Sequence, residues 1–97
     1  MSGLDAQARI EVRVKGRVQG VGFRQFVRYH ARQLGLTGWV RNEPDGSVYL
    51  VAEGSRALLE RLLETVRQGP PAARVDEVQV HWKPVQGEYT HFEIRWW

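Results

Sequence analysis

The stretch Gly16-Arg17-Val18-Gln19-Gly20-Val21-Gly22-Phe23-Arg24 holds three glycines within seven residues, followed by an arginine. Glycine lets backbone N–H groups turn inward, because no side chain blocks the approach. Successive inward N–H groups form an anion nest, and a helix N-terminus behind them adds partial positive charge. Arg24 would stand in the first turn of that helix, where its planar guanidinium can grip two phosphate oxygens at once. The pattern therefore predicts a site for one phosphoryl group, held by the glycine-rich nest together with Arg24. The same glycines would also serve a plain strand-to-helix turn, and spacing alone leaves both readings standing. Two common nucleotide loops are absent: no Gly-Lys-Ser/Thr closes a Walker A motif, and Gly20-Val-Gly22 is not completed to G-x-G-x-x-G.

The elements that must position this loop follow from hydrophobic period. Ile10, Val12 and Val14 alternate with charged residues from Arg9 to Lys15, a half-buried strand. After the loop, Phe23, Phe26, Val27, His30 and Leu34 recur at helical spacing, and Gly35 is placed to end the helix. Leu36 to Asn42 predicts a second strand. Glu43-Pro44-Asp45-Gly46 is a turn, and Ser47 to Glu53 the return strand. Ser55 is the predicted N-cap of a second helix with Leu58, Leu59, Leu62, Leu63 and Val66 on its apolar stripe, ended by Gly69-Pro70-Pro71. Val78, Val80 and Trp82 mark a further strand, and Phe92, Ile94 and Trp96 a short last one. The order is that of an α+β, ferredoxin-like βαββαβ sandwich. It predicts a mainly antiparallel sheet with two helices on one face, a more open second face, and a short extra C-terminal strand. Residues 1–97 are read as a single domain, with 1–7 flexible.

This topology joins distant residues. A strand–helix–strand crossover makes the first two strands parallel, so their C-terminal ends share one edge of the sheet. One ends at the glycine loop and the other at Arg41-Asn42. Asn42 is the only asparagine in the chain, and it is expected beside Arg24 and the loop.

Composition narrows the chemistry further. At 97 residues and 42% hydrophobic, the chain suffices for one two-layer core. It has no cysteine, which removes thiolate and disulfide chemistry. No apolar run approaches the ~20 residues of a membrane span. The first residues carry no apolar secretory segment, and a cytoplasmic location and no membrane partner are expected. Net charge is +3, from twelve arginines and two lysines, which attracts anions. His30, His81 and His91 do not share a metal-ligand spacing, so no metal is expected. Gly22 to Tyr29 superficially resembles an RNA-recognition signature, but carries an extra residue, lacks the basic lead and sits on a helix; no nucleic-acid partner is expected.

The first motif, followed by Gly38-Trp-Val-Arg-Asn42 and Asp45-Gly46-Ser47-Val48, resembles the acylphosphatase family over roughly Arg9 to Trp96. The ending Phe92-Glu-Ile-Arg-Trp96 fits as well. The resemblance implies hydrolysis of the carboxyl–phosphate bond of small acyl phosphates to carboxylate and inorganic phosphate. It implies no cofactor and no metal. It also implies that the loop of Gly16, Arg17, Val18, Gln19, Gly20 and Val21 cradles the phosphoryl oxygens, that Arg24 binds the phosphate and that Asn42 positions the attacking water. Inorganic phosphate and other small anions are expected as product or inhibitors, and the working unit is expected to be a monomer.

Overall fold

A computed structural model describes residues 6–96. The element order is β1 (Gln7–Arg17), α1 (Phe23–Gln33), β2 (Thr37–Asn42), β3 (Val48–Ser55), α2 (Arg56–Gln68), β4 (Arg74–Lys83) and β5 (Phe92–Arg95). Of the segment expected to be flexible, residues 1–5 lie outside the described residues; Gln7 already pairs with Ser55. The five strands form one sheet in the order β4-β1-β3-β2-β5. All pairings are antiparallel except β2 with β5, which is parallel. The architecture is the ferredoxin-like α+β sandwich read from the strand and helix order, with β5 as the extra edge strand.

One sheet face buries a continuous apolar layer under the two helices. β1 contributes Ile10, Val12 and Val14, β2 Val40, and β3 Val48, Leu50 and Ala52. Phe23, Val27 and Ala31 project onto it from α1, at spacings of four, and Leu59, Leu62, Leu63 and Val66 from α2. Each fully buried side chain of this size contributes roughly 1.5–3 kcal/mol. α2 starts as its sequence predicts, with Ser55 Oγ accepting the Leu58 N–H at 3.3 Å. α1 has no side-chain cap; Gly22 opens it in the left-handed region.

Two expectations about the sheet are corrected. First, β1 runs on to Arg17 through a register shift between Lys15 and Gly16, so Gly16 and Arg17 pair with Val75 and Arg74 of β4 instead of belonging to the loop. A Cβ on Gly16 would collide with the Arg74 carbonyl, which explains glycine in a strand. Second, the other sheet face is not open above β3. Arg9, Val51, Glu53 and Trp39 are each 7% exposed or less. The connection between β4 and β5 crosses this face: Glu53 accepts the N–H groups of Gln86 and Gly87 at 2.9 and 3.0 Å. Trp39 Nε1 donates to the Tyr89 hydroxyl at 3.1 Å. Nothing periodic in residues 84–91 announces this cover.

Candidate active site

β1 and β2 both run antiparallel to β3, hence parallel to one another. Val14 and Asn42 flank the same residue of β3, Val48. At ~4.8 Å per strand the two ends lie about 10 Å apart. β1 then continues to Arg17, and the chain turns back through residues 18–22 into α1. The geometry anticipated from the crossover is present: loop, first helical turn and Asn42 share one end of the sheet.

The loop is anchored from below and tied from the side. Val18 is buried and Val21 packs half-buried against the core. Gly20 and Gly22 alternate with them at φ +75° and +78°, where an L side chain is strained. Nothing lies within 4 Å of the point where a Cβ would sit on either. Glycine is thus required there by backbone conformation, and it leaves the amides accessible. Gln19 uses both hydrogens of its amide to reach the Glu43 and Ser47 carbonyls, at 2.8 and 2.9 Å. This fastens the loop to the hairpin just beyond Asn42. Its side chain is therefore committed to the protein, and only its backbone N–H remains for an anion.

These parts enclose a cavity of about 140 Å3 lined by Val18, Gly20, Gly22, Phe23, Arg24, Gln25, Asn42, Ile94 and Trp96. That is well below the ~300–1,000 Å3 of sites that enclose drug-sized ligands. Arg24 and Asn42, expected to meet, do meet here, together with Val18 and Gly20. Val21 is turned to the core. Arg17 does not line the cavity, and Gly16 lines a separate depression with Lys15, Asp45, Gly46 and Ser47.

Two features of the cavity are chemically unusual. Asn42 Oδ1 is buried and has no hydrogen-bond partner among the described residues. A buried unpaired carbonyl oxygen costs roughly 1–3 kcal/mol. Arg24 has no ion-pair partner among the described residues; its guanidinium lies 4.3 Å from the centroid of the Trp96 ring. The first turn of α1 contains no acidic residue that would compete for the helix N-terminus. The carboxylates nearest in sequence are occupied. Glu43 sits 3.2 Å from Arg41 and 3.7 Å from Arg13. Asp45 is held below the usual carboxylate range by the Ser47 hydroxyl and N–H, in its turn. The site thus presents donors and the unpaired Asn42 oxygen, and none of its described lining residues carries a carboxylate.

The histidines lie elsewhere. His30 stacks edge-on against Phe26 on α1 at 4.5 Å, and His81 and His91 are exposed. Among the described residues no three His, Asp or Glu side chains stand together as a metal site. The stretch resembling an RNA signature is α1 itself, with Phe23 and Val27 in the core. Sequence reading missed Gly22, Phe23, Gln25, Ile94 and Trp96 as lining residues, and the Gln19 tie. An amide side chain inside a glycine loop was the available signal for the tie; a terminal strand residue gave none for Trp96.

Residues 10–94 match the family model for acylphosphatase. An acylphosphatase from Salinibacter ruber is 52% identical over 89 residues, covering 92% of this chain and 94% of that relative. Two crystal or solved structures superpose closely: an acylphosphatase from Bacillus subtilis with a TM-score of 0.88 at 38% identity, covering 91% of this chain and 98% of that one, and one from Coxiella burnetii at 0.86 and 44%, covering 92% and 93%.

Proposed function

The chain belongs to the acylphosphatase family, hydrolases of acid anhydrides whose substrates are small acyl phosphates, and we propose that it breaks the carboxyl–phosphate bond by in-line attack of a water held by Asn42. The phosphoryl group is held by Arg24 and by amides of the loop at residues 18–22, whose Val18, Gly20 and Gly22 line the cavity. The observation that carries this reading is the buried Asn42 Oδ1, unpartnered among the described residues, on the wall of the cavity that Arg24 also lines, an arginine with no ion-pair partner among those residues. An amide oxygen is a poor base but a good acceptor. It takes one O–H of a water and leaves the water's lone pair free to face phosphorus.

The remaining chemistry needs little else. Phosphoryl transfer depends on positioning and on stabilising charge over the equatorial oxygens. Arg24 and the loop amides supply both at the cavity wall. The P–O bond to the acyl group breaks as the P–O bond to water forms. The leaving carboxylate has a conjugate acid with pKa around 4–5, so it departs without a general acid. The water's proton passes to a non-bridging phosphoryl oxygen, and the products are carboxylate and dihydrogen phosphate. No side chain becomes phosphorylated.

The test is hydrolysis of benzoyl phosphate by the wild type beside Asn42→Ala, with inorganic phosphate as competitive inhibitor. Turnover should fall by about 10²–10³-fold, the usual effect of losing one positioned polar group, with phosphate inhibition nearly unchanged. Near-normal turnover in Asn42→Ala would remove water positioning from the mechanism.

A further inference from the structure

The cavity has one exposed apolar wall. Val18 and Phe23 are buried and Ile94 is half-buried, whereas Trp96 is 72% exposed. β5 runs parallel to β2 with Arg95 beside Arg41, so Trp96 follows at the strand end next to Asn42. The indole is held in place, since the Arg24 guanidinium stacks over it at 4.3 Å. A large apolar side chain this exposed adds little to the core. Its position at the mouth of a polar cavity calls for an explanation.

We propose that Trp96 is a specificity-determining residue for the acyl end of the substrate, an apolar wall that favours aromatic acyl groups over acetyl. This rests on the phosphoryl reading of the cavity given above. With the phosphoryl group held by Arg24 and the loop beside Asn42, the acyl part is left to project toward the exposed Trp96 on the same cavity wall. An acyl phosphate carries its charge on phosphorus, and an aromatic acyl group such as benzoyl presents an apolar ring at its other end. At the mouth that end meets the indole. An aromatic acyl group gains offset or edge-to-face contact with the indole beyond simple area burial. Because stacking on Arg24 orients the indole beforehand, little side-chain freedom is lost when the substrate arrives.

The probes are phenacylphosphonate and acetonylphosphonate, in which a CH2 replaces the bridging oxygen of benzoyl and acetyl phosphate, and inorganic phosphate, which has no acyl end. Dissociation constants are measured for the wild type, Trp96→Ala and Trp96→Phe. The wild type should prefer phenacylphosphonate over acetonylphosphonate. Trp96→Ala should cut that preference by about three- to tenfold, and Trp96→Phe should keep most of it. If all three probes weaken by one common factor in Trp96→Ala, the indole only props Arg24 and the proposal fails. A preference that Trp96→Ala leaves untouched overturns it as well. If neither phosphonate competes with inorganic phosphate, the phosphoryl reading beneath it falls first, and that failure is visible in the wild type alone.

Discussion

Arg9 and Arg24 are both set against an aromatic ring, and they differ in everything else they touch. Arg9 lies 5.6 Å from the Tyr89 ring centroid on the strand face covered by residues 84–91. Glu11 and Glu53 bind it at 3.0 and 3.1 Å, with Glu88 at 3.6 Å. Burial alone would make its proton easier to lose, but the bonds to Glu11 and Glu53 win and hold it firmly charged. Arg24 has an indole and, among the described residues, no carboxylate. One arginine is neutralised inside the protein and helps pin a strap. The other keeps its donors and its charge available. Stacking on a ring fixes a guanidinium without consuming its N–H groups, which a carboxylate would do. The contrast separates a cluster built for stability from one left incomplete for a ligand.

That contrast can be broken in order of effect. Arg24→Ala should remove activity most severely. Inorganic phosphate should bind roughly 10–100-fold more weakly, the worth of a hydrogen-bonded charge contact, and kcat/KM should fall by about 10³ or more. Arg24→Lys should recover little, because a point charge cannot grip two oxygens in a plane. Stability of the Arg24 variants, read by denaturant unfolding, should change little. An Arg24→Ala variant that still binds phosphate normally would erase the distinction between the two arginines.

Glu53→Ala should do the reverse. It leaves the Gln86 and Gly87 N–H groups without their acceptor and Arg9 with one buried partner fewer. Breaking such a buried pair costs about 3 kcal/mol, seen as a lower denaturant midpoint, with kcat per folded molecule nearly unchanged. The same cluster sets the acid limit. Burial works against the Glu53 carboxylate, but the N–H of Gln86, Arg9 and the N–H of Gly87 outweigh it and hold its pKa below normal. Glu11 is lowered chiefly by its bond to Arg9. Depressed carboxyls stabilise the fold fully above their unfolded pKa near 4.3, and lose that contribution as pH falls through the lower folded values. Unfolding free energy should therefore be flat above about pH 5 and decline below it, and Glu53→Gln should reduce that slope.

The smallest effect belongs to the loop backbone. Gly22→Ala meets open space, so its penalty is only the strain of φ +78°, about 1–2 kcal/mol. A thermal melt reads it directly. No loss would mean that the loop moves to a different backbone conformation.

Local pattern carried most of the fold and the centre of the site. Strand alternation in β1 and β3, the Ser55 cap and the turn at Pro44 are short-range features, and Asn42 reached Arg24 through topology alone. What escaped were pairings set by distance in sequence. Arg9 and Glu53 are 44 residues apart and look like solvated charges on alternating strands. Gln19 reads as a loop residue until its amide is seen fastening residue 43 and residue 47. Gly16 reads as loop because a strand glycine made necessary by a register shift carries no local mark. Trp96 continues the strand alternation on paper, yet it lies one residue past β5 and its ring faces the site.

The central claim is that water attacks phosphorus inside the cavity shared by Arg24 and Asn42. Benzoyl phosphate hydrolysed by the protein in 18O-enriched water, with both products weighed by mass spectrometry, tests it most directly. The account predicts one 18O atom in inorganic phosphate and none in benzoate. Label in benzoate would place the attack at the acyl carbon and contradict it.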